Sequence, residues 1–490
     1  ENPRIVCLMF HYRAISHILG LLLLLNGLFM ALTLPVSWYY NGEDFNALLT
    51  SAVITANLGL LIWFITRKVP KEVAKRDGYL IVTLGWLILG ISGSIPFLLS
   101  GVLPDFADAF FETLSGYTTT GASVINDIEA MPKGLLLWRS MTQWIGGMGI
   151  IVLTVAILPI FGVGGMEMFM AESPGPTSSK LHPKITDTAK RLWIIYVALT
   201  AIESVLLKIA GMSWYDAVNH SFTTMSTGGF STKNLSVAAF NSPSIEYIIT
   251  FFMMLGGINF SMLYFILKGR FSKAWSNEEL RVYFVVLVGF TIIITATLLN
   301  TGGEIEESFR HTIFQVTTII TTTGFSTMNY AQWVPFAYML IIFLMFTGGS
   351  AGSTAGGVKI IRHLLILKNG YYEFKRLLHP RAIVPVRVNK KAVEQQKVYN
   401  VLAFFFIYLL SFIFGALIVS AFGHDVVTSA GASIACLGNI GPGIGGVDPS
   451  SNFAFFSDGA KYFLSILMLI GRLELFTVLI LLVPAFWQKV

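Results

Sequence analysis

The sequence predicts an all-α polytopic membrane protein of about ten transmembrane helices, two N-terminal helices followed by four repeats of span, half-helix and span. Three observations carry this prediction. First, 54% of the 490 residues are hydrophobic and 12% are charged, whereas soluble domains are roughly a quarter charged. Second, near-continuous apolar runs recur without the polar stripe that water would demand on a helix surface. Third, four Gly-bearing loops recur between these runs on one plan.

In chain order the spans fall at about 14–40, 47–66, 78–101, 134–160, 192–211, 244–267, 281–300, 332–368, 398–422 and 460–487. The run 332–368 is too long for one crossing. It is broken by Gly348-Gly349-Ser350-Ala351-Gly352-Ser353-Thr354-Ala355-Gly356-Gly357. The chain divides into 1–70 (two N-terminal helices), 75–165, 188–270 and 278–370 (repeats one to three), 371–396 (a basic loop) and 397–490 (repeat four).

Lysine and arginine set the orientation. Arg67, Lys68, Lys71, Lys75 and Arg76, then Lys180, Lys184, Lys190 and Arg191, then Lys268, Arg270, Lys273 and Arg281 fall on one side. The densest set joins them: Arg362, Lys368, Lys375, Arg376, Arg381, Arg387, Lys390, Lys391 and Lys397. Asp105, Asp108, Glu112, Asp127, Glu129, Asp216, Glu304, Glu306, Glu307, Asp425, Asp448 and Asp458 fall on the other. The positive-inside rule makes the basic side cytoplasmic, with both termini on it. The net charge of +6 thus belongs to membrane-flanking loops, and no nucleic-acid interface is implied. The 362–397 loop is also a place for a cytoplasmic partner to dock.

Cys7 and Cys436 lie near opposite ends of the chain, which excludes a disulfide framework and a Cys-rich metal site. There is no His-Glu-x-x-His, nucleophile elbow or Walker lysine motif. The chain therefore does not read as an enzyme, and it has no nucleotide fingerprint of its own.

The four loops read Thr118-Thr119-Thr120-Gly121-Ala122-Ser123, Ser226-Thr227-Gly228-Gly229-Phe230-Ser231, Thr321-Thr322-Thr323-Gly324-Phe325-Ser326 and Ala435-Cys436-Leu437-Gly438-Asn439-Ile440. Asp108, Asp216 and Asp425 stand thirteen residues before Gly121, Gly229 and Gly438, and His311 holds that place before Gly324. Gly228 is an equally good match to Gly121 if the second loop slips by one residue. The second spans align as well: Gly146-Gly147, Gly256-Gly257, Gly348-Gly349 and Gly471-Arg472. Gly146, Gly256 and Gly471 suit close helix packing.

A half-helix that returns as extended backbone is tolerated inside a membrane only where it is buried or lines a watery path. Four of them around one axis can turn carbonyls inward and replace the hydration shell of a cation in a central pore. Glycine supplies the positive φ that such a run requires, and hard oxygen ligands suit alkali cations. Asp108, Asp216 and Asp425 are expected to cap the pore helices. The negative helix ends then face the pore centre. The decapeptide Gly348–Gly357 reads as an intramembrane loop able to move and so to gate; a rigid packing kink is the alternative.

Arg472 at mid-span costs at least ~2.5 kcal/mol on insertion scales, so it is functional or paired. About 6 Å from a permeating cation, at an effective dielectric of ~20, it would repel by about 3 kcal/mol. Glu474 is its expected partner if the role is structural. Lys359 is a second barrier or a topology charge. A different reading, an ion-coupled transporter, requires an intramembrane acid, and Glu203 is the best candidate.

These residues together resemble the Trk/Ktr/HKT superfamily of potassium transporters. The resemblance rests on the fourfold plan, the three Thr- and Ser-bearing loops, the broken span ending Gly-Gly-Val-Lys, and Gly471-Arg472. It covers about residues 75–490, and the two extra N-terminal spans liken the chain to the TrkH-type membrane subunit. It implies K⁺ uptake, with Rb⁺ accepted, through one chain folded as a pseudo-tetramer in a bacterial inner membrane. It implies a homodimer gated by a cytosolic nucleotide-binding (NAD(H)/ATP/ADP) regulatory subunit, with K⁺ as the permeant ion and no cofactor on this chain. The implied filter residues are Thr119, Thr120, Gly121, Thr227, Gly228, Gly229, Thr322, Thr323, Gly324, Leu437, Gly438 and Asn439. The implied gate is Arg472 with the Gly348–Gly357 loop (Gly348, Gly349, Gly352, Gly356, Gly357) and Lys359 beside it. The fourth loop lacks the Thr-Thr pair, so an asymmetric filter is expected.

Overall fold

A computed structural model describes residues 10–67, 75–149, 185–382 and 384–488. Helices dominate, as expected for a polytopic membrane protein. Among the described residues six are long and apolar enough to cross a membrane: Tyr12–Tyr39, Phe45–Ile65, Arg76–Leu99, Ala189–Ile209, Glu278–Leu299 and Gln395–Ala421. The second half of the span expected at 134–160 lies outside the described residues, and its first half is the helix Lys133–Gly147.

The expectation of one broken span is corrected. Pro243–Gly256 and Phe260–Leu267 meet at 110°, and Asp458–Arg472 and Phe476–Leu482 at 112°. In the first of these, Gly257 closes one helix and the Asn259 side chain caps the next by accepting from the Ser261 amide. In the second, Glu474 and Leu475 hold φ of 54° and 57°, a left-handed step no helix can carry. The third repeat separates further, into Pro335–Leu344 and Ile360–Leu378 with the Gly-rich loop between them. Ile360–Leu378 leads to an antiparallel hairpin, Arg387–Val388 with Lys391–Ala392.

The two N-terminal helices pack backbone to backbone. A Cβ on Gly59 would meet the Leu24 amide nitrogen at 2.4 Å, and one on Gly27 the Ala56 nitrogen at 2.7 Å. Small residues supply the close approach that lipid cannot drive hydrophobically. This pair is tied into the first repeat by polar contacts. Asn26 donates to Ser92 Oγ (2.9 Å) and accepts from the Tyr117 hydroxyl (2.5 Å). Asp44 accepts from the Leu135 amide at 2.7 Å, serving a free donor in the first turn of Lys133–Gly147.

Four half-helices, Phe106–Tyr117, Trp214–Met225, Ile305–Ile320 and Val426–Leu437, run between the spans. They are amphipathic, yet both faces are largely buried, and threonines and serines fill much of the inner part. That pattern fits helices surrounded by protein rather than by lipid.

Candidate functional site

The C-terminal ends of the four half-helices unwind in the same way. Thr118, Ser226, Thr321 and Gly438 each donate their amide four residues back, to Leu114, Phe222, Thr317 and Ile434. Thr119, Thr227, Thr322 and Asn439 then donate three back, and Thr120, Gly228, Thr323 and Ile440 donate five back. Positive φ follows the same register: Thr119, Thr227, Thr322 and Asn439 lie at 53–55°, and Gly121, Gly229, Gly324 and Gly441 at 76–95°.

This register places Gly229, not Gly228, opposite Gly121. It also corrects the fourth loop. Gly441 matches Gly121, Asn439 matches Thr119, and Gly438 matches Thr118. Leu437 is the last helical residue, equivalent to Tyr117 and Met225. The offset differs in the fourth repeat because Asp425 is not the equivalent of Asp108 and Asp216. Asp425 is the N-cap of its helix, whereas Asp108 and Asp216 lie in the first turn. That is a shift of three residues, close to one turn.

The loops meet as a closed ring. A Cβ on Gly121 would meet the Gly228 carbonyl at 2.2 Å, and one on Gly229 the Thr323 carbonyl at 1.9 Å. One on Gly324 would meet the Ile440 carbonyl at 2.2 Å, and one on Gly441 the Thr120 carbonyl at 2.8 Å. Loop one thus touches two, two touches three, three touches four and four touches one. Side chains seal the inner end: Thr118 with Thr120 and Thr321 with Thr323 (both 2.7 Å), and Asn439 Nδ2 to Thr120 Oγ1 (2.9 Å). A ring this rich in carbonyl and hydroxyl oxygen offers the hard ligands of an alkali cation.

Arg139 and Gln143, not singled out in the sequence, and Glu112, read there only as an outer-side acid, hold the ring from behind. Buried Arg139 pairs with buried Glu112 (Nε to Oε1, 2.6 Å), donates to the Ser231 carbonyl (3.1 Å) and stacks on Phe230 at 3.5 Å. Glu112 also accepts from the Val124 amide (2.8 Å) and Ser123 Oγ (3.0 Å). One ion pair therefore fixes the outer arms of loops one and two. Gln143 spans loop two, donating to the Gly228 carbonyl (2.6 Å) and accepting from the Phe230 amide (3.0 Å). An acid read only as an outer-side charge, an Arg within an apolar span and a Gln between Thr142 and Trp144 carry no periodic signal that would reveal them.

The expected caps differ among themselves. Asp425 caps its helix through the Val427 and Thr428 amides (both 3.0 Å). The Thr428 hydroxyl first, and then these amides, hold its carboxyl below the usual range. Asp216 is not the cap: Ser213 is, accepting from the Asp216 amide (3.0 Å), while Asp216 receives the Ser213 and Thr232 hydroxyls (both 2.6 Å). Asp108 pairs instead with Lys461 of the fourth repeat at 2.5 Å. His311 sits seven residues into its half-helix and bonds Thr327 at 2.9 Å, the place Asp216 takes toward Thr232.

Beneath the ring the Gly-rich loop and Arg472 come together. The Gly356 amide donates to Thr322 Oγ1 (2.7 Å), and Thr354 Oγ1 donates to the carbonyls of Met225 (3.1 Å) and Gly256 (3.0 Å). A Cβ on Gly356 would press on the Gly438 carbonyl at 2.8 Å. Arg472 donates to the Thr354 carbonyl (2.9 Å) and to the carbonyls of Gly146 (2.7 Å) and Gly147 (3.1 Å). Loop and arginine thus link all four repeats directly below the ring. The expected Glu474–Arg472 pair gives way to Glu474–Arg362, with Arg362 stacked on Phe404 at 3.8 Å. Lys359 is buried, and its ammonium donates to the Ala355 carbonyl within the loop. Gly146 and Gly471 pack as expected: a Cβ there would fall 1.8 Å from the Tyr117 carbonyl and 2.0 Å from that of Leu437.

The chain is similar to known proteins throughout. Residues 45–489 match the family model TrkH, described as cation transport protein. The chain is 41% identical over 487 residues to the Trk system potassium uptake protein TrkH of Escherichia coli K12, covering 98% of this chain and 100% of the relative. It is 34% identical over 483 residues to TrkG of the same strain, covering 98% and 99%. Among solved structures, the potassium transporter TrkH from Vibrio parahaemolyticus superposes with a TM-score of 0.88 at 40% identity, over 98% of this chain and 100% of that one. A family model spanning most of the chain and relatives matched end to end lead to one conclusion: this chain belongs to the TrkH family of cation transport proteins.

Proposed function

We propose that the chain takes up K⁺ through a gated, K⁺-selective pore on the axis of the four-loop ring, with Rb⁺ also accepted. The observation that carries this reading is the ring itself: four half-helix ends with one hydrogen-bond register and the same paired positive φ, each in contact with the next. The relatives' names, potassium uptake proteins, point to the same ion. In this reading the filter is built on Thr119–Gly121, Thr227–Gly229, Thr322–Gly324 and the segment Gly438–Gly441. The gate is the Gly-rich loop with Arg472. In this reading the chain lies in a bacterial inner membrane with both termini cytoplasmic, an orientation that the basic loops support. A homodimer with a cytosolic nucleotide-binding regulatory subunit at the basic end completes the assembly.

The test is Rb⁺ uptake into liposomes holding only this protein, with and without imposed voltage. Uptake driven by voltage alone, blocked by K⁺ and not by Na⁺, is the expected result; a strict requirement for a Na⁺ or proton gradient would overturn the passive pore. One observation favours that second reading, ion coupling. Glu203 is fully buried on the helix Ile185–Ile209 beside the second half-helix. Glu203→Gln would abolish gradient-driven uptake if the carboxyl carries the coupling proton, and would leave a voltage-driven flux unchanged if it does not.

A further inference from the structure

We propose that Glu279 is the positioning residue that clasps the Gly-rich loop, and that the basic hairpin Arg387–Ala392 acts on the loop through it; this rests on the reading of the loop as the gate. Glu279 stands in the first turn of Glu278–Leu299, and its side chain is buried. Its Oε1 accepts from the Ala351 amide at 2.6 Å, in the middle of the loop. Ile361, in the first turn of the helix that follows the loop, lies beside the same carboxyl group. Ala351 and Ile361 bracket the second half of the loop, and the carboxylate holds the Ala351 end of that segment beside the start of Ile360–Leu378.

The site suits a carboxylate. Ile361 lies in the first turn of Ile360–Leu378, where amide donors lack helical partners and the helix dipole favours negative charge. The N-cap residue there, Lys359, provides no side-chain cap. Lys359 and Arg362 add positive charge beside the carboxylate. A buried acid in a membrane protein is tolerated when such partners satisfy it.

The preceding residue leads outward. Glu278 pairs with Lys368, and its amide donates to the Asn389 side chain at 2.7 Å. Lys368 also donates to the Arg387 carbonyl at 2.8 Å. Asn389 and Lys390 form the left-handed turn of the hairpin, with φ of 50° and 65°. A continuous set of contacts therefore runs from the hairpin tip through Glu278 and Glu279 to Ala351. On the opposite side the loop is held by the bent second span, through Asn259 Nδ2 to the Ala351 carbonyl (2.5 Å) and the Phe260 amide to the Gly352 carbonyl (3.0 Å). Releasing Glu279 frees one of the loop's several anchors and leaves those to Asn259, Thr322, Gly256 and Arg472 intact.

The test uses the full-length protein in liposomes. Ala351→Cys is labelled with a membrane-impermeant maleimide from the basic side, with the parent protein as background, alone and combined with Glu279→Ala or Glu279→Gln. We expect labelling about tenfold faster and Rb⁺ flux about tenfold higher when Glu279 is removed, the scale of one charge-assisted hydrogen bond. The maximal flux should rise while the half-saturating Rb⁺ concentration and the order of competing ions stay fixed, a split that a merely destabilised protein would not give. Lys368→Ala with Asn389→Ala should raise labelling by a smaller factor of about three. An unchanged labelling rate in a Glu279 variant of native thermal stability overturns the clasp; Glu279→Gln, which keeps volume and one acceptor, decides the point if Glu279→Ala does not fold. An unchanged rate in the Lys368/Asn389 variant overturns the hairpin's part. If no variant conducts, including Arg472→Ala, the pore reading fails while the labelling still decides the clasp.

Discussion

Arg472 and Thr354 belong to different repeats, yet Nη1 of Arg472 donates to the Thr354 carbonyl at 2.9 Å, directly below the four-loop ring. The same guanidinium reaches the carbonyls of Gly146 and Gly147. The guanidinium and the Gly-rich loop are thereby joined: any movement of the loop, as the gating proposal requires, must break or carry that bond.

Arg472→Ala removes both the positive charge and the bond to the loop. Basal Rb⁺ flux in liposomes is expected to rise roughly ten- to hundredfold, from a repulsion of about 3 kcal/mol partly screened by water. Unchanged flux in a variant of native elution profile and melting temperature would count against the barrier.

Gly121→Ser places a side chain where φ is +81° and the Gly228 carbonyl lies 2.2 Å from the added Cβ. The neighbouring loop must shift, so the oxygen cage changes size. Competition by Na⁺ against Rb⁺ uptake is expected to strengthen about tenfold. A competition series with K⁺, Na⁺ and Li⁺ measures it, and an unaltered ion order would remove this glycine from the selectivity argument.

Glu112→Ala strands the buried Arg139 guanidinium. Breaking such a pair costs roughly 3–5 kcal/mol, so a clear drop in melting temperature in detergent should accompany loss of ion discrimination, because loops one and two lose their shared anchor. Replacing both residues with apolar side chains of similar volume should recover much of the stability without recovering discrimination.

Gly146→Ala sets a methyl 1.8 Å from the Tyr117 carbonyl, a backbone atom that cannot rotate away. A loss of about 1–3 kcal/mol or more is expected, read as reduced thermal stability. Gly289→Ala is the control, since a Cβ there meets nothing within 4 Å, and its melting temperature should hold or rise.

Composition and patterning determined much of this protein. The apolar runs fixed a membrane fold because lipid cannot satisfy an unpaired backbone. The recurrence of Thr- and Gly-bearing loops identified the four places where the backbone leaves the helix. The first three loops could be registered from Asp108, Asp216 and His311 because their offset to the positive-φ glycine is constant. The fourth could not, since Asp425 is an N-cap and the offset to Gly441 is sixteen residues. What only tertiary structure decided is pairing. Glu474 meets Arg362 rather than Arg472, Asp108 meets Lys461, Glu112 meets Arg139, and Glu279 meets Ala351. Each partner is more than two turns of helix away in sequence or lies on another repeat, and charge alone is nearly indifferent to which opposite charge it finds. The bends after Gly256 and Arg472, and the ring that brings four distant loops within contact, choose the partner, because a buried charge is stable only beside the group that the fold delivers to it.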